Sequence, residues 1–305
     1  MNDILPQVFL PRYEVLEPLG EGAVATVYKV RAQKDEAVYA LKALKPRHAR
    51  TTRSIGRFED EFRILRRLHH PSLPEMYDYG IANDGTRYMV MERVEGVPLD
   101  RYFPGHKDEL WLLVYQLTEA LAFVHEHGLL HLDLKPGNTL VKRMRSTDGG
   151  ERPMVVLIDF GLSYERGAGG EAKMSGTPDY MAPEIIRGGE SLTRAADYYS
   201  LGVILYELVE KRTPFEGEVH DILHAHLTKR PRFAETKVEY AELYPWIERL
   251  LDKEVGERLD AFQGFRRVMA DRVGDAPADL ERAYALGYIE SLGLIGKGAV
   301  RKGLG

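Results

Sequence analysis

HLDLKPGN, the stretch at residues 131–138, decides the fold of this 305-residue chain together with DFG at residues 159–161. In these stretches Asp133 and Asn138 stand five positions apart, and Asp159 opens the second. A carboxylate can orient an acceptor hydroxyl, while a second carboxylate and an amide oxygen can hold Mg²⁺ on the phosphates of ATP. We therefore predict a phosphoryl-transfer site, with Asp133 as catalytic base and Asn138 and Asp159 as magnesium ligands.

The composition excludes several classes of function. A net charge of −5 gives no basic field that would attract nucleic acid. The chain contains no Cys, which excludes disulfides, thiolate zinc sites and thiol nucleophiles. Its apolar share of 44% and charged share of 29% are ordinary for a folded soluble protein.

The sequence has no secretory or membrane-spanning pattern. Residues 1–6 lack the basic start and apolar core of a secretory signal. The apolar stretches at 110–124 and 201–209 are interrupted by polar residues and fall short of the roughly 18–20 residues of a membrane span. We expect a soluble, cytoplasmic protein without a membrane span.

The first third of the chain alternates like a β-sheet. Strands are predicted at residues 13–19, 26–32, 37–44, 76–81 and 86–93. Residues 55–68 change to three- and four-residue spacings of apolar side chains, which predicts an amphipathic helix. Residues 13–94 should therefore form a domain with a five-stranded sheet and one helix.

The rest of the chain is mainly helical. Helices are predicted at residues 110–127, 195–209, 219–228, 240–251 and 259–273. The polar, glycine-containing segment Arg143–Pro153 is interpreted as a surface loop between two strands. We assign residues 95–273 to a second domain and residues 274–305 to a C-terminal helix and a Gly-rich basic tail. That tail is interpreted as frayed, with a small basic contact site as the alternative.

Two glycines separate the first predicted strands. In LGEGAVATV, residues 19–27, Gly20 and Gly22 would let backbone N–H groups approach phosphates, with Ala25 small enough to replace a third glycine. A glycine hairpin without a ligand has the same pattern, so this stretch is weak evidence by itself. A strand follows it, which argues against a dinucleotide-binding fingerprint, because that fingerprint needs a helix.

Two lysines complete the predicted site. Lys42 is flanked by apolar strand residues, and an inward-facing Lys needs a partner to offset its desolvation. Glu61 on the amphipathic helix can be that partner, and the pair would aim the ammonium at the α- and β-phosphates. A solvated Lys at a strand edge is the alternative. Lys135, two residues after Asp133, can reach the γ-phosphate.

In this order the motifs resemble those of the eukaryotic-type (Hanks-type) serine/threonine protein kinases, from residue 13 to about residue 270. SGTPDYMAPE at residues 175–184 is similar to the substrate-docking segment of that family. DYYSLG at residues 197–202 resembles the family's D-x-W-S-x-G, with Tyr199 for Trp, and the resemblance implies that Asp197 braces the catalytic loop. It also implies that Arg258 pairs with Glu184 of the docking segment.

The resemblance implies an α+β, bilobal kinase fold that uses ATP and Mg²⁺. In such a fold Met91 would be the gatekeeper, and the Glu92 carbonyl and the Val94 N–H would pair with adenine. The residues implied to contact or position the nucleotide are Leu19, Gly20, Glu21, Gly22, Val27, Ala40, Lys42, Glu61, Met91, Glu92, Val94 and Leu140.

The catalytic loop also indicates the substrate. Lys135-Pro136 after Asp133 resembles the serine/threonine form of the loop, and Gly137 replaces an acidic residue that reads an upstream Arg in basic-directed relatives. Small-molecule kinases with related lobes generally lack the docking segment. We therefore expect transfer of the γ-phosphoryl group of ATP to Ser or Thr hydroxyls of a protein substrate.

Leu132 departs from the Arg that most of these kinases carry, so the chain resembles the variant called non-RD. In relatives with Arg, a phosphorylated residue must neutralise it before the activation segment becomes ordered. We expect that phosphorylation of the segment at residues 159–184 is not needed here, with Lys173 or Arg194 as a substitute cation in the alternative view. Thr177 matches the family's Thr that bonds the catalytic Asp and Lys.

Two other functions and one metal site were weighed against this prediction. A pseudokinase that binds nucleotide or acts as a scaffold usually lacks the Lys, Asp or Asn of the site, and none is missing here. A small-molecule kinase is the second alternative. His220 and His224 share a helical face but lack a further rigid ligand for a metal. His125 and His127 are interpreted as a helix C-terminus, where positive charge is favourable.

Overall fold

The computed structural model describes residues 12–22, 24–49, 51–102, 107–145, 150–160, 164–165, 176–188, 192–234 and 240–274. Within these ranges the chain divides into two compact units. The first unit runs through Glu95 and includes Ile158–Phe160, and the second begins at Gly96. The division falls one residue after the predicted one, and the segment that carries Asp159 belongs with the first unit. The predicted C-terminal helix and tail lie beyond Gly274, outside the described residues.

The first unit is a five-stranded antiparallel sheet in the order β1-β2-β3-β5-β4. Its strands are β1 (Tyr13–Glu21), β2 (Ala25–Ala32), β3 (Val38–Leu44), β4 (Met76–Ile81) and β5 (Arg87–Met91). Alternate residues of β2 are buried, among them Tyr28 and Val30, and they pack with Leu41 and Val90. This period-two pattern is what a half-buried strand requires.

Helix α1 (Thr52–Leu65) is the helix that the described part of the first unit contains. Phe58, Phe62 and Leu65 are buried on one face, as their helical spacing predicts. The helix begins and ends three residues earlier than expected. The helix ends at Leu65, before Pro71, and a proline disfavours helical backbone in the residue that precedes it.

The second unit is mainly helical. Its helices are α2 (Lys107–Glu126), α3 (Pro183–Arg187), α4 (Ala195–Glu210), α5 (Val219–Thr228), α6 (Tyr244–Leu250) and α7 (Val255–Val273). Helix α4 is buried around most of its circumference, and Val203, Ile204 and Leu205 have no exposed surface. A helix that is apolar on all sides belongs in a core, and α4 accordingly packs against both α6 and α7. No helix in the described ranges has both the length and the apolar character needed to cross a membrane.

Five short or paired strands complete this unit. They are β6 (Val97–Pro98), β7 (Leu129–Leu130), β8 (Thr139–Arg145), β9 (Glu151–Leu157) and β10 (Tyr164–Glu165). The β8–β9 ladder continues from Thr139 opposite Leu157 to Arg145 opposite Glu151. The predicted surface loop at Arg143–Pro153 is therefore wrong over most of its length, because both of its ends belong to strands.

The starts of α6 and α7 also differ from the prediction. Helix α6 begins at Tyr244 instead of residue 240, and Pro245 lies in its first turn, where a missing N–H costs nothing. Helix α7 begins at Val255, four residues before the predicted start. Its first turn contains Gly256, Glu257 and Arg258, so the apolar periodicity on which the prediction relied begins only at Leu259.

Candidate active site

Lys42 lies at the centre of a buried charge cluster in the first unit. It stands on β3 opposite Val27 of β2 and Met89 of β5. Its Nζ donates to Oε1 of Glu61 at 2.7 Å and to Oδ1 of Asp159 at 2.8 Å. The side chains of Lys42 and Glu61 are only 7% and 9% exposed, whereas that of Asp159 is 42% exposed. The predicted Lys42–Glu61 contact is therefore present, and Asp159 extends it towards solvent.

The cluster keeps Lys42 charged. Burial by itself would lower the pKa of Lys42, but Glu61 and Asp159 together outweigh burial and raise that pKa above its ordinary value. Burial likewise raises the pKa of Glu61, and Lys42 offsets only part of that effect. The pair is nevertheless ionised, because a proton moved from Lys42 to Glu61 would leave Asp159 without its counter-ion. A fixed ammonium in this position is suited to hold phosphate oxygens.

Asp159 has a strained backbone. Its φ is +61°, in the left-handed region that residues other than glycine rarely adopt. The following residue, Phe160, is only 2% exposed, so packing of its ring can hold the turn in this conformation. Strain of this kind persists where the surrounding structure over-determines it, and it concentrates at functional sites.

The glycine hairpin connects β1 and β2. Gly20 pairs with Val27, and the Gly22 N–H donates to the Ala25 carbonyl at 2.9 Å. Lys45, the residue after β3, donates to Oε1 of Glu21 at 2.5 Å. This exposed ion pair links the hairpin to the strand that carries Lys42.

The other residues implied to bind the nucleotide lie on several elements. Ala40 pairs with Met91 across β3 and β5, and the Glu92 N–H donates to the Glu75 carbonyl at 2.8 Å. Leu19 is 47% exposed on β1. Val94 lies just after β5, while Leu140 lies on β8 of the second unit.

In the second unit, Asp133 accepts hydrogen bonds on both carboxylate oxygens. The Thr177 backbone N–H and hydroxyl each donate to Oδ1 at 3.1 Å. Lys135 Nζ and Asn138 Nδ2 donate to Oδ2 at 2.9 and 3.0 Å. Lys135 also donates to the Thr177 hydroxyl at 2.7 Å, so these four residues form one closed network. The carboxylate therefore has a fixed position and orientation.

Asn138 is suited to a magnesium ion. Its amide nitrogen donates to the Asp133 carbonyl and to the Asp133 carboxylate, at 2.9 and 3.0 Å. The amide oxygen is thereby directed away from Asp133, and an amide oxygen is a ligand that Mg²⁺ accepts. No group of three or more His, Cys, Asp or Glu in the described residues could by itself hold a metal ion. A metal on the amide oxygen of Asn138 would therefore need further oxygens from a ligand, as Mg²⁺ on nucleotide phosphates does.

Asp197, on α4, braces the backbone of the catalytic loop. Its side chain is fully buried and accepts from the backbone N–H groups of His131 and Leu132, both at 2.8 Å. Leu132 has a φ of +61°, which is unfavourable for a residue with a branched side chain. The two bonds from Asp197 hold the loop in this strained turn, directly before Asp133.

His125 contacts Asp197, and sequence reasoning missed this contact. It was interpreted as a helix C-terminus, but its side chain is 2% exposed and its Nε2 lies 2.7 Å from Oδ2 of Asp197. Burial would raise the pKa of Asp197, but His125 and the loop amide of His131 outweigh it and lower that pKa. The position one turn after the buried Leu121 was a usable signal, because it places His125 on the core-facing side of α2.

Side chains of α4 and α7 hold the docking segment in place. Arg258 is fully buried and its guanidinium bonds the Glu184 carboxylate, as predicted from the resemblance. The Ser200 hydroxyl donates to the Tyr180 carbonyl at 2.8 Å, and the Tyr180 hydroxyl donates to Glu207 at 2.6 Å. The described part of the segment, residues 176–184, is thus fixed at both its middle and its end.

Comparison with known proteins identifies the family. A model of the protein kinase domain matches residues 13–268. Serine/threonine-protein kinase PkaA of Streptomyces coelicolor is 35% identical over 285 residues, 86% of this chain and 51% of PkaA. Serine/threonine-protein kinase pkn3 of Myxococcus xanthus is 31% identical over 84% of this chain and 49% of its own length. PrkC of Bacillus subtilis, also a serine/threonine-protein kinase, is 32% identical over 68% of this chain and 32% of its own length.

The chain therefore belongs to the protein kinase domain family. It spans about half the length of PkaA and pkn3. The predicted family and α+β fold class are confirmed, and the relatives are serine/threonine-protein kinases, which agrees with the predicted function. Members of this family generally use ATP and Mg²⁺. The roles of individual residues in this chain stay predictions.

Proposed function

We propose that this chain is an ATP- and Mg²⁺-dependent protein kinase that phosphorylates Ser and Thr hydroxyls of protein substrates. The observation that supports this most strongly is the closed network around Asp133, because it fixes a carboxylate beside a lysine and a docking segment. Phosphoryl transfer relies mainly on positioning and charge stabilisation, and this is what such a network supplies.

Asp133 orients the acceptor hydroxyl. Four donors hold its carboxylate in place, which makes it a rigid hydrogen-bond acceptor. A late proton transfer suffices in a loose transition state. Lys135 is the donor with the most freedom, since its unbranched side chain is 28% exposed. It can therefore leave Oδ2 to the acceptor and turn its charge to the transferred group.

The residues predicted for the site have the chemistry to bind a magnesium nucleotide. Bound ATP would supply the γ-phosphoryl group, and Mg²⁺ would neutralise charge on its phosphates. Lys42 would hold phosphate oxygens, with Glu61 fixing its ammonium. Asp159 and the amide oxygen of Asn138 would be the protein ligands of the metal.

Serine/threonine specificity and a protein acceptor rest on two segments. Lys135-Pro136 is the serine/threonine form of the loop, and the anchored docking segment offers a surface for an extended peptide. The relatives named above are serine/threonine-protein kinases, which favours the same substrate class for this chain. A cytoplasmic location stays a prediction from the sequence.

A pseudokinase and a small-molecule kinase are the alternatives to be tested. Incubation with labelled ATP, with dephosphorylated casein and, separately, with small hydroxyl-bearing acceptors distinguishes all three. We expect label in casein that depends on Mg²⁺. Label only in a small acceptor would indicate the small-molecule kinase, and nucleotide binding without any transfer would indicate the pseudokinase.

A further inference from the structure

Tyr199 of α4 takes the place of the Trp that the resembled family carries, and its hydroxyl lies in a buried polar network. The residue has no exposed surface. Lys253 donates from Nζ to the Tyr199 hydroxyl oxygen at 2.9 Å, and Nδ1 of His226 lies 2.9 Å from the same oxygen. The hydroxyl therefore joins α4, α5 and the connection between α6 and α7.

The donors and acceptors of this network determine its protonation. An ammonium can only donate hydrogen bonds, so the Tyr199 hydroxyl oxygen accepts one from Lys253. The O–H of Tyr199 can then donate a hydrogen bond to Nδ1 of His226. His226 is then neutral, with its proton on Nε2. Burial lowers the pKa of His226 to about 4, with a further lowering by Lys253, which agrees with a neutral ring.

His226 connects the network to the docking segment. Its Nε2 makes no full hydrogen bond with the described residues, but the Asp179 backbone is near enough to raise its pKa by a hydrogen-bond interaction. Helix α5, which carries His226, packs against the turn at Pro178–Tyr180 and against α3. Packing of α5 thus places His226 beside the middle of the docking segment.

The ring of Tyr199 connects the network to the end of the same segment. The Arg258 guanidinium lies 5.5 Å from the centre of that ring and bonds Glu184, the last residue of the docking segment. A cation over an aromatic face is attracted by it, more strongly when water is excluded. Tyr199 therefore contacts supports of the segment at two points, through its hydroxyl and through its ring.

We propose that Tyr199, His226 and Lys253 form a positioning network that sets the conformation of the docking segment and thereby the affinity for the protein substrate. The inference rests on the proposed kinase function. The network depends on Tyr at this position, because an indole N–H could donate to His226 but could not accept from Lys253. The three residues are positioning residues, since they act on substrate through residues 176–184.

Tyr199→Phe tests the network, because it removes the hydroxyl and keeps the ring under Arg258. Tyr206→Phe is the matched control: it deletes the same atom on the same helix and also removes a buried hydrogen bond, to the Arg232 carbonyl at 2.6 Å. In Tyr199→Phe we expect amide hydrogen exchange at Asp179–Ala182 to be roughly two- to tenfold faster, the effect of one lost hydrogen bond. KM for dephosphorylated casein should rise by a similar factor, while KM for ATP should stay within about twofold.

The outcomes separate this inference from the proposed function. Hydrogen exchange needs no activity, so unchanged exchange in Tyr199→Phe, or equal acceleration in Tyr206→Phe, would overturn the network even if the wild type transfers no phosphate. In an active enzyme, faster exchange with an unchanged casein KM would overturn the link to substrate affinity. If Tyr199→Phe does not fold, Lys253→Met, at a half-exposed position, is measured in the same way and decides by the same criteria.

Discussion

Lys42 is the residue whose charge is expected to contribute most to phosphate binding in the first unit. Its ammonium contacts two carboxylates, so truncation should remove the positive charge that is fixed at this position. We predict that Lys42→Ala lowers kcat/KM for phosphoryl transfer by about 10²–10⁴, the usual cost of losing one preorganised charged group. Lys29→Ala is the control, because Lys29 forms an exposed pair with Glu17 on the same sheet. More than about half of the wild-type activity in Lys42→Ala would contradict the assignment.

His125 tests the brace beneath the catalytic loop. His125→Phe should remove the hydrogen bond between the imidazole and the buried Asp197 carboxylate. The two backbone N–H donors of that carboxylate remain. The expected cost is about 1–3 kcal/mol in the free energy of unfolding, together with a lower kcat as the turn at Leu132 loosens. His127→Phe makes the same change two positions later, at an exposed ring. Equal urea midpoints for the two variants would show that the His125–Asp197 contact does not brace the loop.

Residues of the site differ in how far the sequence could reveal them. Asp133, Asn138 and Asp159 stand in short motifs whose spacing carries their chemistry, and Lys42 stands out as a charge inside an apolar strand. His125 and His226 carry no local motif. Their partners, Asp197 and Tyr199, are distant in sequence, and only packing of α2 and α5 against α4 brings them into contact.

At the scale of elements, α5 should contribute a pH-dependent term to stability. His226 has a pKa of about 4 in the folded protein and near 6.5 when unfolded. Between these values the unfolded chain binds a proton that the folded protein does not, so stability falls as the pH falls. The loss should reach up to about 3 kcal/mol near pH 4.

His226→Gln measures this term, because Gln cannot titrate but its amide oxygen can still accept a hydrogen bond from the Tyr199 hydroxyl. Urea denaturation of both proteins from pH 7 to pH 4.5 should give a shallower loss of stability in the variant. The half-buried Lys253 adds to the repulsion of a protonated ring in the wild type. Parallel curves for the two proteins would rule out a titrating His226.

The elements themselves were largely predictable because their apolar patterns are long. Strands β1–β5 and helices α2, α4 and α5 lie within a few residues of their predicted positions. The β8–β9 hairpin was not predicted, because its sequence contains Arg143, Arg145 and Arg152, and such a polar segment is typical of a surface loop. Cross-strand hydrogen bonds hold these residues in strands although their side chains are mostly exposed, and a hydrophobic pattern does not record such bonds.

At the scale of the whole molecule, Leu132 bears on how activity is controlled. The residue is buried, uncharged and held by Asp197, so it presents no cation that a phosphate must neutralise. We predict that phosphatase-treated wild type and a Ser163→Ala, Ser175→Ala double variant keep kcat/KM within about tenfold of the untreated enzyme. The substituted serines lie outside the described residues. A larger loss in either sample, with circular dichroism unchanged, would show that phosphorylation of the segment is required.

The central claim is that Asp133 directs the transfer of a phosphoryl group from ATP to Ser or Thr of a protein. Its most direct test is mass-spectrometric phosphosite mapping of dephosphorylated casein after incubation with ATP and Mg²⁺, for wild type and Asp133→Asn. The account predicts phosphoserine and phosphothreonine with the wild type, no transfer when Mg²⁺ is chelated, and a rate at least about 10² lower with Asp133→Asn. Equal phosphorylation by the two proteins, or phosphate on Tyr alone, would contradict it.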